Sequence, residues 1–260
     1  MTPPTRPTLS IVVVAKNEVA RSGACLASAA FADEVLVLDS GSTDRTAALA
    51  RAAGAKVTAT DWPGYGPQVA RGFAMATGDW VLSLDADERI PADLQREILA
   101  AIAGGSHDGW RIPRWSAFCG RFLRHGGWRP DRTLRLGRRA KAGFTDHFLH
   151  AHMTLDGSVG DLASSRVHLS YPDVHDVLEK LDRYSSGSAR DMLARGRQGG
   201  LGRAIGHGLA AFVRTYVVKL GFLDGRHGLM LAIYNAEYAY YKYLKLWFLQ
   251  SPPGQPEFPA

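Results

Sequence analysis

Apolar and polar positions alternate in blocks along the first third of this 260-residue chain. Leu9-Ser-Ile-Val-Val-Val-Ala15 is a nearly unbroken, β-branched run that ends in Lys16-Asn17-Glu18. A second run, Glu34-Val-Leu-Val-Leu38, ends in Asp39-Ser-Gly-Ser-Thr-Asp44. A third covers Lys56 to Thr60 and a fourth Trp80 to Leu84, with helical segments such as Thr46 to Ala53 between them. Short apolar runs bounded by polar turns predict strands. Fully apolar strands alternating with helices predict a parallel sheet covered on both faces, an α/β fold. The C-terminal third reads differently. Leu201, Ile205, Leu209, Phe212, Tyr216 and Leu220 lie three or four residues apart and mark one face of a helix, with Arg203, Arg214 and Lys219 off that stripe. Beyond Asp224-Gly225, Leu229 to Leu249 is dense in tyrosine and tryptophan, interrupted by Lys242 and Lys245. These patterns predict an α/β domain over 9–172, a helical region over 173–249, and disordered Pro-rich tails at 1–8 and 250–260.

Parallel strands bring their carboxyl ends to one edge, where ligands of open α/β sheets bind. Three of the runs end in polar clusters: Lys16 to Glu18, Asp39 to Thr43, and Asp85 to Glu88. Asp85 and Asp87, one residue apart at a strand end, are placed to hold a divalent cation, Mg²⁺ or Mn²⁺, which in turn holds a diphosphate. An acidic turn capping the helix that begins near Pro91 is the alternative. Gly41 allows the sharp turn out of the second strand, and Ser42, Thr43 or Asp44 caps the next helix. Asp39 is not needed for that cap and can accept hydrogen bonds from a base or ribose. No G-x-G-x-x-G follows any strand, which argues against a dinucleotide cofactor.

These residues resemble a known family. Lys16-Asn-Glu18, Val37-Leu-Asp-Ser-Gly-Ser-Thr-Asp-Arg-Thr46 and Asp79-Trp-Val-Leu-Ser-Leu-Asp-Ala-Asp-Glu88 look like family 2 glycosyltransferases of the GT-A fold, and most like the lipopolysaccharide inner-core glucosyltransferase group. The likeness continues through Trp62-Pro-Gly-Tyr-Gly-Pro-Gln68, His125-Gly-Gly-Trp-Arg-Pro-Asp-Arg132, Lys180-Leu-Asp-Arg-Tyr-Ser185, Lys219-Leu-Gly-Phe-Leu-Asp-Gly225 and Asn235-Ala-Glu-Tyr238. It implies an inverting transferase that uses a UDP-sugar, with glucose the expected sugar, a divalent metal, and a lipid-linked glycan acceptor such as the lipopolysaccharide core. Lys16, Asn17 and Glu18 with Asp39, Ser40 and Gly41 would hold the nucleoside, Asp85, Asp87 and the cation the diphosphate, and Arg71 would contact the phosphates. The family shows His-Glu in the segment matching Phe144 to His152, but here His150 is followed by Ala151. The candidate bases are therefore Asp131 and His150, with Asp146 behind them. The missing glutamate also raises a degenerate scaffold that binds nucleotide-sugar or lipid. A nucleotidyltransferase would want a Gly-rich loop after the first strand, which Lys16-Asn-Glu-Val19 is not.

Charge sharpens the picture more than the net +6 does. Residues 111–141 hold ten Lys and Arg against Asp131 alone. Thr133-Leu-Arg-Leu136 alternates as a half-buried strand, so the arginines there, Arg132 and Arg135 among them, are expected to share a face. Arginine suits a phosphate-bearing donor or acceptor. No helix-turn-helix, zinc finger or aromatic RNP-like run accompanies the patch, so nucleic acid is not the expected partner. The C-terminal helices, basic and aromatic but without a run of roughly 20 apolar residues, are expected to lie on an anionic membrane surface or to pack against a second subunit. Cys25 and Cys119 fit neither a disulfide framework nor a zinc site, and the N-terminal residues lack the apolar core of a signal peptide. A cytoplasmic protein, peripheral on the inner face of the cytoplasmic membrane, is the expectation.

Overall fold

The computed structural model describes residues 6–145 and 151–251. The chain divides into two compact units, one of Met1–Ser116 and Pro130–Leu169, the other of Ala117–Arg129 and Ser170–Ala260. In chain order the elements are β1 (Leu9–Ala15), α1 (Val19–Ala29), β2 (Glu34–Asp39), α2 (Thr46–Ala52), β3 (Lys56–Ala59), α3 (Tyr65–Met75), β4 (Trp80–Asp85), β5 (Glu88–Arg89) and α4 (Ala92–Gly104). There follow β6 (Gly109–Phe118), β7 (Arg121–Phe122), β8 (Asp131–Arg138), β9 (Ala142–Phe144), β10 (Met153–Leu155), β11 (Val159–Asp161), β12 (Arg166–Tyr171), α5 (Val174–Ala194), α6 (Leu201–Val213) and α7 (Arg226–Gln250).

In the first unit the strand order is β3-β2-β1-β4-β8-β6-β12-β5. The four expected strands form its parallel half, since β1 pairs in parallel with β2 and β4, and β2 with β3. Alternation along β1 explains the two-sided burial. Leu9, Ile11 and Val13 pack with Cys25 and Leu26 of α1 and with Leu94, Ile98 and Ile102 of α4. Val12, between them, packs on the opposite face with Val69 and Phe73 of α3. There α3 comes close enough that a Cβ on Gly72 would lie 2.3 Å from Val12 Cγ1. The other half of the sheet is antiparallel at β4–β8 and β8–β6. A one-residue bulge interrupts β8: Trp110 faces Leu136 and Arg111 faces Leu134, leaving Arg135 without a partner in register. Arg166 of β12, almost wholly buried, ties this half together. Its guanidinium donates to Glu88 Oε1 (2.7 Å), to the Ile112 carbonyl (2.6 Å) and to Thr133 Oγ1 (2.8 Å).

The second unit has its own core, built from Phe118, Leu123, Tyr171, Val177, Leu181, Leu231 and Tyr234. Buried Asp224 fastens the 117–129 segment to this core by accepting from the backbone N–H groups of Arg124 (3.0 Å) and His125 (2.7 Å). The Asp173 side chain caps α5 by accepting from Asp176 N. α6 meets α7 through small residues, with Ala204 and Gly208 buried, and a Cβ on Gly208 would sit 3.3 Å from the Ala236 carbonyl. The apolar stripe points the other way, with Leu201, Ile205 and Leu209 exposed. Regular α6 ends at Val213 and passes into a π-helical turn over Arg214–Val218, whose Val217 and Val218 are also exposed. Among the described residues no helix is long and apolar enough to cross a membrane.

Candidate active site

The parallel register decides which residues meet. Ala15 of β1 lies opposite Asp39 of β2, and Val14 opposite Asp85 of β4. Asp39 and Asp85 therefore flank the exit of β1, where Lys16 is exposed. Asn17 adopts a left-handed backbone (φ 55°) and stitches this exit to the turn after β2. Its N–H donates to Ser42 Oγ (2.9 Å), its Oδ1 accepts from Thr43 N (2.8 Å), and Glu18 N donates to Thr46 Oγ1 (2.8 Å). Ser40 is buried, its N–H donating to the Ala15 carbonyl and its Oγ accepting from Gln68 Nε2. Gly41 has φ 81° with open space around it, so backbone freedom rather than room explains the glycine. Asp39 Oδ2 accepts from Ser42 N (3.2 Å), but its Oδ1 is buried with no hydrogen-bond partner. Leaving a buried acceptor unmade costs roughly 1–3 kcal/mol, so this oxygen is poised for a donor from outside the chain. Arg71 donates to Asp61 (2.7 Å) and to Gln68 Oε1 (3.2 Å), and its hydrogen bond, then its charge, holds the Asp61 carboxyl below the usual range.

The D-x-D carboxylates have different surroundings. Asp85 accepts from Tyr65 OH on one oxygen and from Arg135 (2.9 Å) on the other. Burial alone would raise its pKa, yet the Arg135 charge and the phenol hydrogen bond hold it well below the carboxylate range. Burial and the Asp85 charge push the Tyr65 phenol up. Asp87, past the turn, lies 3.3 Å from His168 Nε2 of β12, whose Nδ1 is 3.2 Å from Ser116 Oγ. Among the described residues there is no group of three or more His, Cys, Asp or Glu side chains that could hold a metal. The Asp87–His168 pair nevertheless fits a divalent cation that takes its remaining ligands from phosphate oxygens and water, as Mg²⁺ and Mn²⁺ do. Asp85, with one hydrogen bond on each oxygen, keeps lone pairs with which it could join such a cation.

The basic strand departs from expectation. Its arginines meet separate partners: beside the bulge Arg135 turns to Asp85 (2.9 Å), while Arg132 is 3.9 Å from Asp161 and Arg138 is 3.2 Å from Asp108. Arg135 is thus committed to an internal carboxylate rather than presented to a phosphate. Asp131, opposite Arg114 in the β8–β6 register, accepts from Arg114 Nε at 2.8 Å. Among the described residues Asp131 pairs with Arg114 and is not hydrogen-bonded to Asp85, Asp87 or His168. His150 and Asp146 lie outside the described residues.

Residues 10–156 match the sequence profile of glycosyl transferase family 2. The chain belongs to that family. It is 29% identical over 248 residues to the lipopolysaccharide core biosynthesis glycosyltransferase LpsC of Rhizobium meliloti, covering 92% of each chain. It is 27% identical over 256 residues to an uncharacterized glycosyltransferase of Rickettsia felis, covering 92% of this chain and 88% of that one. Among solved structures, glucosyl-3-phosphoglycerate synthase from Mycobacterium tuberculosis in complex with Mn²⁺, UDP and glucosyl-3-phosphoglycerate shares 30% identity over 43% of this chain and 44% of that one, with a TM-score of 0.37.

This family 2 glycosyltransferase also places three residues at the crevice that sequence reasoning passed over. His168 sits in an ordinary strand run and gains meaning only from Asp87 across the β5–β12 pairing. Tyr65 and Gln68 open α3 inside the motif Trp62 to Gln68, a signal that marked the segment but not the roles of its side chains.

Proposed function

We propose that the protein transfers a sugar, glucose in the first instance, from a UDP-sugar to a lipid-linked glycan such as the lipopolysaccharide core, with inversion, at the inner face of the cytoplasmic membrane. The observation that carries the reading is the buried, partnerless Asp39 Oδ1 at the strand edge it shares with Asp85. That oxygen accepts a hydrogen bond from the nucleoside, while Asn17 and the Ser42–Thr43 turn fix the loops around it. Asp87 and His168 hold the cation. When bound, the cation supplies positive charge against the diphosphate that leaves with UDP. Asp85, kept ionised, holds Tyr65 and Arg135 in place beside it, and Arg71 is the candidate for contact with the phosphates. The acceptor hydroxyl gives its proton to one of Asp131, His150 or Asp146. The name of the relative LpsC and the exposed apolar residues along α6 support a lipid-anchored acceptor.

The test is a panel of nucleotide-sugars scored by release of nucleoside diphosphate, with Mn²⁺, with Mg²⁺ and with chelator. UDP-glucose turnover that needs a divalent cation is the expected result, and absence of UDP binding under every condition overturns the reading. UDP-sugar binding without turnover on any lipid-linked acceptor favours the scaffold suggested by Ala151. Asp131→Asn and His150→Ala then locate the base, since loss of kcat with unchanged donor affinity, by about 10²–10⁴-fold, marks it.

A further inference from the structure

The second unit holds a cavity of about 290 Å³ whose lining includes Trp128, Arg214, Thr215, Lys219, Asn235 and Lys242. No Asp or Glu lines it. We propose that this cavity is a binding site for a phosphate group carried on an amphiphile, separate from the strand-edge crevice. Three cations converge here, and none has an ion-pair partner among the described residues. Two other cations of the same unit do meet a carboxylate: Lys245 meets Asp182 Oδ1 (2.6 Å) and two serine hydroxyls, and Arg195 meets Asp191 (2.9 Å). Lys242 is half-buried with its ammonium over the Tyr238 (5.2 Å) and Tyr243 (5.5 Å) rings, and desolvation followed by the charge of Arg214 pushes its pKa down, so like charges meet here with aromatic faces but no carboxylate beside them. An anion relieves that arrangement.

Phosphate fits better than a carboxylate. It brings up to two charges and three acceptor oxygens, enough to meet one guanidinium fork and two ammonium groups together. The volume lies at the small end of ligand pockets, so it admits a phosphate with a head-group-sized attachment rather than a whole glycan. The chain that supplies Arg214 and Lys219 also presents exposed Val213, Val217, Val218, Leu220, Phe222 and Leu223. A phosphate whose carrier is embedded beside those side chains satisfies both halves of the segment. The lipid source of the phosphate, though not the site itself, rests on the membrane-acceptor reading above.

The experiment uses the full chain and the double variant Arg214→Gln/Lys242→Gln, with Lys219→Gln as a single variant should the double one melt early. Inorganic phosphate is titrated calorimetrically in the presence of chelator, and UDP with Mn²⁺ is titrated on the same proteins. Flotation is measured with neutral vesicles carrying phosphatidic acid and with vesicles given equal surface charge by oleate. The wild type should bind phosphate at one site and prefer phosphatidic acid over oleate at least tenfold. The double variant should lose both preferences while its UDP affinity stays unchanged. Phosphate binding that the variant abolishes, without any lipid preference, keeps the site and assigns it a soluble phosphate. Equal phosphate binding by wild type and variant overturns the proposal. Loss of UDP binding in every protein refutes the donor-site reading alone.

Discussion

Replacing Asp39 with asparagine exchanges one carboxylate oxygen for an amide and separates binding from folding. In the structure Oδ2 accepts from Ser42 N, and Oδ1 is buried without a partner. Asparagine has a single acceptor oxygen, so it can satisfy Ser42 N or a nucleoside donor, but not both. A hydrogen bond to a charged group is worth about 1.5–3 kcal/mol. At 1.36 kcal/mol per tenfold, its loss should raise the UDP dissociation constant roughly 10- to 150-fold. Folding should respond in the opposite sense, because a neutral amide is cheaper to bury than an unpaired carboxylate. Calorimetric titration of UDP, together with urea denaturation of the nucleotide-free protein, reads both effects. We expect weaker UDP binding with stability equal to wild type or higher. Unchanged UDP affinity refutes the argument, and so does a stability loss above about 1 kcal/mol, which would make Asp39 a turn residue whose free oxygen has no ligand.

Four further outcomes follow from the geometry. Asp87→Asn and His168→Gln should each weaken Mn²⁺-dependent UDP binding while leaving metal-free UDP binding unchanged, since among the described residues neither side chain makes a second ion pair; calorimetry with and without chelator decides it. Gly72→Ala should destabilise the first unit by roughly 1–3 kcal/mol through overpacking against Val12 and Leu38, visible as a lower urea midpoint. Burial works against the ionised Glu34 carboxyl, but hydrogen bonds from Lys56, Ser10 and Thr77 win and lower its pKa from 4.5 to about 2. A depressed acid stabilises the fold above the unfolded value and loses that contribution as pH falls through the folded one; with the part from solvent-exposed Lys56 discounted for screening, Glu34→Gln should cost about 1–2 kcal/mol at pH 7 and progressively less between pH 4.5 and 2. Leu209→Gln with Val218→Gln, each 65% exposed, should leave the melting temperature unchanged and reduce flotation with anionic vesicles; unchanged flotation would assign that face to something other than lipid.

Periodicity was enough to specify the parallel half of the sheet. Residues 9–15, 34–39 and 80–85 are largely apolar because helices cover both their faces, and burial on both faces leaves a continuous signal in the chain; the edge strand 56–59, with Lys56 and Ala59 exposed, carries a weaker one. The same logic made the ends of β1, β2 and β4 legible as one edge, and with them Asp39, Asp85 and Asp87. The antiparallel half left no such mark. Its strands carry arginines, a proline and a bulge, and they pair residues far apart in sequence, so local pattern says little about them. Only the tertiary structure decided that Arg135 turns to Asp85, because one extra residue in β8 reverses the alternation from which its direction would be read. Only the fold brought His168 to Asp87, since a histidine in a strand has no distinguishing neighbours until β12 lies beside β5. The stripe read from Leu201 to Leu220 is a face of α6 only as far as Phe212, because the π-helical turn shifts the register at Tyr216 and Leu220 lies past it in left-handed backbone; and a sequence gives a helix's faces, not their neighbours. Burial of Ala204 and Gly208 against α7, small residues that let two backbones approach, is what left Leu201, Ile205 and Leu209 exposed.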